Sequence, residues 1–322
     1  MSIDADNCVA LSGGVGGTKL ILGLSHVING NNLSVIGNTG DDFEHLGLAI
    51  SPDLDTLLYT LAGQVNPETG WGRSNETWSF MEALDELGGE TWFRLGDRDL
   101  AVHLERTRRL TNGDSLSEVT TRLCNQLGIT MQILPMTDET VRTRVLTDRG
   151  ALDFQHYFVR DRAEPRVLGL EYVGAESARP TKAVLEALNN PDLAAIIIAP
   201  SNPYLSIDPI LAIPGIRSAI AAAGAPVVAV SPIVAGAAIK GPTAKIMAEF
   251  GHDTTAVGIA SHYHDLLDGF ILDEMDKGLA AEVKMLNLEV GICDTVMKSL
   301  NDKIRLARFT LEFAASIGKR TA

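Results

Sequence analysis

The sequence predicts an α/β fold: a doubly wound, mostly parallel sheet with helices on both faces, carrying a helical and small antiparallel β insertion. Three observations carry this expectation. Near the amino end a short apolar run passes through a glycine cluster into a helical pattern, VALSGGVGGTKLILG at residues 9–23. After about Arg179 short apolar runs alternate with helical segments, the signature of a sheet covered on both faces. Between the two lies a stretch whose apolar spacing is mostly helical.

In chain order, CVAL is a buried strand. The following helix places Leu20, Ile21, Leu24, Val27 and Ile28 on one face. LSVIGN is a second strand. DTLLYTLAG, NETWSFMEALDELGG, RDLAVHLERTRRLTNG and SLSEVTTRLCNQLG each join a cap-like start to a glycine-containing end and read as helices. MQILPM, VRTRVLT and ALDFQHYFVR have β-branched and aromatic character, with a DRG turn, and predict a small antiparallel element. TKAVLEALNN, IRSAIAAAG and TAKIMAEFG are helices. AAIIIAP, PVVAVSP, TAVGIA, GFILDE and LEVGICD are strands, and a long helix closes the chain from about residue 295 to 316.

The balance of 45% apolar and 21% charged residues over 322 positions fits a globular protein with a real core. A net charge of −14 disfavours a nucleic-acid partner, which needs a basic surface, and leaves room for a local anion site. Cys8, Cys124 and Cys293 show neither metal-ligand nor disulfide spacing, so a reducing, cytoplasmic setting is expected. The start MSIDADNCVA lacks the basic and apolar regions of a signal peptide. LAAIIIAP, the most apolar run, is far shorter than the roughly 20 residues a membrane span needs.

Ligands of open parallel sheets collect beyond the carboxyl ends of strands, and four such ends carry polar text: SGGVGGTK, GNTGDD, APSNP and VSPIVAG. Glycines let a ligand approach backbone N–H groups, and the helix behind them adds its positive dipole end, so SGGVGGTK suits a phosphate or diphosphate. Its spacing matches neither the Walker nor the dinucleotide pattern. Lys19 is a phosphate contact or a surface lysine. Asp41 and Asp42 suit a ribose hydroxyl, a turn cap or a divalent cation. Of Asp53 and Asp55, the second is the natural helix cap, and the first is freer to bind a metal or activate a hydroxyl. Arg94, Asp97, Arg98 and Asp99 lie close together, where an arginine can clasp an anion or merely charge a turn. The histidines form no nucleophilic arrangement. Trp71, Trp78 and Trp92 fall in the helical stretch, as core or as a surface for a planar ring.

Taken in order, LSGGVGGTKL, NTGDD, SPDLDTLLYTLAG, RLGDRDLAVHLERT, LPMTDETVRT, APSNPYLSIDPIL and VSPIVAGAAIKGPTAK resemble the 2-phospho-L-lactate transferase family of coenzyme F-420 biosynthesis. The resemblance runs over residues 9–294. It implies a Rossmann-like nucleotide-binding core at residues 1–55 and 179–322, and an insertion at 56–178 on the deazaflavin side. It implies Mg²⁺ and two substrates: the deazaflavin Fo and a guanosine diphosphate adduct of a three-carbon acid. The ribityl hydroxyl of Fo would attack the terminal phosphorus and release GMP. Gly13, Gly14, Gly16, Gly17 and Thr18 would cradle the diphosphate, with Lys19 and Asn38 nearby. Ser201, Asn202, Pro203 and the segment from Gly241 to Lys245 would take the guanosine side. Asp53 would meet the attacking hydroxyl, Arg94 or Arg98 would be its basic companion, and Asp42 and Asp55 would surround the metal. The loop Gly-Val-Gly-Gly-Thr-Lys is closer to bacterial than to archaeal members, which leaves phospholactate, phosphoenolpyruvate and phosphoglycerate open as the acid. Two other classes stand beside the transferase. One is a non-catalytic nucleotide-sugar-binding regulator with a similar glycine loop, and the other a nicotinamide oxidoreductase. A homodimer is compatible with the sequence, although no residue pattern marks its face.

Overall fold

A computed structural model describes residues 7–238 and 241–318. Seven strands form one sheet in which every pairing is parallel. They are β1 (Asn7–Ser12), β2 (Leu33–Gly37), β3 (Gln132–Pro135), β4 (Leu193–Ile198), β5 (Val227–Val230), β6 (Gly269–Asp273) and β7 (Glu289–Cys293). Their order across the sheet is β7-β6-β5-β4-β1-β2-β3. The chain therefore winds one way from β1 through β2 and the other way from β4 through β5. That reversal between β1 and β4 is the crevice where such sheets hold ligands.

Alternation along each strand feeds two cores. Val9, Leu11, Ile196, Ile198 and Phe270 pack on one face against Val184 and Leu188 of one helix and Ile216 and Ile220 of another. Ala10, Val35, Ile197 and Val228 pack on the other against Leu20, Leu24, Leu54, Leu58, Leu306 and Leu311. The helices that shape the site are α1 (Gly14–Ser25), α2 (Pro52–Leu61), α3 (Ser79–Glu86), α4 (Asp97–Thr111) and α5 (Leu116–Gln126). A three-stranded antiparallel sheet, with Arg142–Thr147 between Gly150–Asp153 and Val167–Val173, lies beside the main one.

The fold class read from sequence holds, with three local corrections. Gln132–Pro135, from MQILPM, is not part of the antiparallel element; it pairs with β2 as the sheet edge, inside the span read as an insertion. ALDFQHYFVR is a strand only at its start, then turns through His156–Arg160, and Val167–Val173 supplies the third antiparallel strand. TAVGIA is a helix, Ala256–Tyr263, because the Thr255 hydroxyl accepts from the Val257 N–H and caps it. Among the described residues no single helix is long and apolar enough to cross a membrane, and no disulfide joins Cys8, Cys124 and Cys293.

Candidate functional site

The glycine cluster begins α1. The first N–H groups of a helix have no intrahelical acceptor, and here two are taken by side chains from distant loops. Gly13 N–H donates to the Ser201 hydroxyl at 3.3 Å, and Gly14 N–H to Asp53 Oδ1 at 2.7 Å. The next two amides, of half-buried Val15 and Gly16, lie at the positive end of the helix, where an anion is favoured. Bare glycine is required by close approach. A Cβ on Gly13 would come within 2.6 Å of Asp53 Oδ2, and one on Gly16 within 2.5 Å of the Pro200 carbonyl. The loops after β1 and β4 thus lock together across the crevice.

Asp53 sits in the first turn of α2, 6% exposed. Its second oxygen accepts from the Asn38 amide at 2.9 Å. Asn38 also donates to the Leu205 carbonyl at 3.2 Å, while its own oxygen takes the Gly40 N–H at 2.8 Å. Every hydrogen-bonding atom of the Asn38 side chain is thereby committed to holding Asp53 and the loops around it. Burial lifts the Asp53 carboxyl to about 6, against the pull of the Asn38 and Gly14 hydrogen bonds.

Beyond this seat the loop after β2 opens into a cavity of about 440 Å³. Asp41 and Asp42 lie at one end, and His45, Trp92, Phe154 and His156 form an aromatic wall. Phe43, His45, Trp92 and Phe93 meet in edge and tilted contacts, and Trp92 leans on His156 at 4.7 Å between ring centres. Burial lifts Asp42 to about 7 in spite of Arg142 and the Ser51 hydroxyl, which donates to its Oδ2 at 2.8 Å. Burial, together with the charge of Asp53, holds Asp41 well above the carboxylate range. Buried polar atoms without a partner gather around this end: one oxygen each of Asp41 and Asp42, the hydroxyls of Thr39 and Thr143, and His45 Nε2. Such atoms are rare in folded proteins and mark places that a ligand or ion completes.

The free oxygens of Asp41 and Asp42 are hard donors of the kind Mg²⁺ prefers. Among the described residues no three or more His, Cys, Asp or Glu side chains are arranged to hold a metal ion. The donor set therefore fits a magnesium ion that takes one or two carboxylates from the protein and the rest from substrate phosphates.

Other candidates from sequence are placed differently. Asp55, read as a helix cap and a metal neighbour, is not the cap. The cap position is Ser51, and Asp55 turns inward to pair both oxygens with the buried Arg106. A cation beside that guanidinium would be repelled. Lys245, read as a guanosine contact, clips α8 (Thr243–Glu249 in a series where α6 is Lys182–Leu188 and α7 is Ile216–Ala222) to the Pro165 carbonyl at 2.8 Å and to Glu249. Lys19 donates to the Met297 carbonyl at 3.3 Å, and the Thr18 hydroxyl to the Gly14 carbonyl within α1. Asn202 caps the turn that opens at Pro203, accepting from Tyr204 and Leu205 N–H groups. Gly241 has a positive φ of 75° and open space around it. Arg94 is exposed and lies 4.1 Å over the Trp78 ring, and Arg98 is exposed with its N–H held by Glu76. Trp92 joins the cavity wall, whereas Trp71 is exposed.

Sequence reasoning missed Ser51, His45, Thr143 and Arg106. The only textual signal was Ser before Pro52 at a helix start. The others become visible only when the chain folds back on the loop after β2.

Comparison with known proteins is consistent along the whole chain. A family model described as 2-phospho-L-lactate transferase CofD matches residues 8–307. A phosphoenolpyruvate transferase of Streptomyces griseus subsp. griseus is 42% identical over 315 residues, covering 96% of this chain and 98% of that protein. A 2-phospho-L-lactate transferase of Methanocaldococcus jannaschii is 40% identical over 311 residues, with 95% and 98% coverage. Among solved structures, a upf0052-family protein from Bacillus halodurans superimposes with a TM-score of 0.64 at 14% identity, covering 95% of this chain and 98% of its own, a likeness of fold.

Proposed function

The chain belongs to the 2-phospho-L-lactate transferase family, a group of F-420 biosynthesis transferases, and from that premise we propose the reaction it performs. The donor is a guanylylated three-carbon acid of the phospholactate, phosphoenolpyruvate or phosphoglycerate type. The acceptor is the deazaflavin Fo. The ribityl hydroxyl oxygen forms a new bond to the phosphorus that carries the acid. The bond from that phosphorus to the bridging oxygen breaks, and GMP leaves with the bridging oxygen. The hydroxyl proton passes to Asp53.

The observation that supports this most is the bond between Gly14 N–H and the Asp53 carboxylate. With phosphate on the Val15 and Gly16 amides, that bond would keep a basic group beside it, and phosphoryl transfer needs positioning and charge neutralisation more than covalent protein chemistry. A carboxyl lifted to about 6 suits proton removal near neutral pH. The amides of Val15 and Gly16 would bind diphosphate oxygens, and the loop from Ser201 to Pro203 would flank the nucleotide. The aromatic cavity accepts a planar ring, with Arg94, two residues from Trp92, as the basic contact on the acceptor side. Asp41 and Asp42 would hold Mg²⁺, which supplies charge neutralisation at the phosphates.

The test is incubation with Fo, Mg²⁺ and each guanylylated acid in turn, followed by mass spectrometry. One donor should yield GMP and a heavier deazaflavin in equal amounts. No product with any of the three would overturn the proposal.

A further inference from the structure

We infer that the buried Arg106–Asp55 pair is a positioning device that sets the Asp53 and Asp42 carboxylates, and not merely a fastener of the inserted helices. Arg106 is 1% exposed and heads the fully buried side chains by volume. Its two terminal nitrogens clasp Asp55, one at 3.1 Å to Oδ2 and the other to Oδ1. One of them also donates to the Ala49 carbonyl at 3.3 Å. The next residue of α4, Thr107, accepts the Ala49 N–H at 2.8 Å. Helix α4 therefore grips the chain at residue 49 and again at residue 55.

Between those two grips lie the residues that reach into the site. Ser51 donates to Asp42, and Asp53 takes the amides of Gly14 and Asn38. The Asp55 N–H closes on the Ser51 carbonyl at 2.9 Å, so a shift of Asp55 is passed to the first turn of α2. The planar fork of arginine fixes direction as well as distance, which lysine does not. His103, one turn before, stands 3.6 Å from Asp55 and 3.3 Å from Asp99, and the Tyr59 hydroxyl completes the cluster on Asp99. Buried ion pairs contribute little net stability compared with apolar side chains of the same size. Orientation of the neighbouring carboxylates is a role that apolar side chains would not fill.

That difference supplies the test. The double variant Asp55→Leu/Arg106→Met replaces the pair by apolar groups of similar bulk in the full chain. Two readouts are taken: hydrogen exchange at the Gly14 amide in 15N-glycine-labelled protein without substrates, and kcat and KM in the transfer assay. The variant is expected to melt near the wild type. Gly14 exchange should rise at least tenfold as Asp53 leaves it, and kcat should fall at least tenfold, with donor KM changed less than threefold. Arg106→Lys, which keeps the charge without the fork, should fall between the two and serves if the double variant does not fold. A folded variant whose Gly14 exchange stays within twofold of wild type overturns the inference, whatever its kcat. The kinetic arm rests on the transferase proposal and the exchange arm does not. Faster Gly14 exchange with an inactive wild type would leave the clamp standing and remove the proposed reaction.

Discussion

The proposed phosphate seat at the start of α1 and the aromatic cavity beyond the loop after β2 differ in how far their buried polar groups are paired. At the seat the protein supplies most partners itself, although Ser12 Oγ and Asn202 Nδ2 stay unpaired there. Asp53, Asn38, Ser201 and the amides of Gly13 and Gly14 are tied to one another across three loops. At the cavity the partners are missing, and Thr39, Asp41, Asp42, His45 and Thr143 each keep an unpaired atom. A site tied to itself is preorganised and works by geometry. A site with unpaired acceptors spends folding stability and recovers it when an ion or substrate arrives.

The largest effect should come from breaking the seat at its base. Asp53→Asn keeps the size and one oxygen acceptor, removes the charge and turns an NH2 toward the Gly14 or Asn38 donor, and should lower kcat about 10²–10⁴-fold. GDP affinity measured by titration calorimetry should stay within a few fold. Wild-type turnover would remove Asp53 from the mechanism.

Crowding the seat should act on binding as well as on stability. In Gly16→Ala the new carbon would meet the Pro200 carbonyl at 2.5 Å, backbone that cannot swing aside. Thermal unfolding should record a loss of about 1–3 kcal/mol, and GDP should bind more weakly. Unchanged GDP affinity would argue that the anion does not sit on this turn.

The cavity should respond to ions and protons instead. The folded Asp42 carboxyl titrates at about 7 against an ordinary 3.8, so the native chain holds the extra proton between those values. Stability without divalent ions therefore falls as pH rises through that window. Mg²⁺ competes with the proton, and should raise Tm more at pH 8 than at pH 6. Asp42→Asn should flatten both trends. A Tm gain from Mg²⁺ that is equal at both pH values, or that survives Asp42→Asn, would place the ion elsewhere.

The smallest effect is expected at Lys245, which touches Tyr157, the neighbour of His156 in the cavity wall. Lys245→Met breaks a half-buried clip to Pro165 and Glu249, costing about 1 kcal/mol by urea unfolding. If the clip is its whole role, donor KM should stay within twofold, and a tenfold rise would assign Lys245 to the nucleotide.

What could be read from the sequence follows the same division. Local signals reach most of the seat: an apolar strand, glycines, a helix start and the carboxylate after Pro52 lie within 53 residues, while Ser201 joins them from nearly 190 positions away. The sheet was legible for the same reason, since buried parallel strands are continuous apolar runs. Gln132–Pro135 escaped because a strand's partner is not written in its own residues; it belongs with β2, a hundred positions earlier. The Ala256–Tyr263 helix escaped because a short apolar run does not reveal its period, and one Thr cap decided it. Arg106 is hidden among the charges of RTRR, where its neighbours Arg108 and Arg109 pair with Glu105 nearer the surface. Only the packing of α4 on the start of α2 separates the buried arginine from the solvated ones.

In the proposed reaction the seat holds the phosphorus under attack and Asp53 takes the proton of the attacking hydroxyl. A single-turnover experiment tests it most directly, with enzyme in excess over the guanylylated acid and Fo saturating. Wild type should release GMP and form the heavier deazaflavin at the same rate. Asp53→Asn should bind the donor and form both about 10²–10⁴-fold more slowly. GMP released without a deazaflavin product, or Asp53→Asn forming product within tenfold of the wild-type rate, would contradict it.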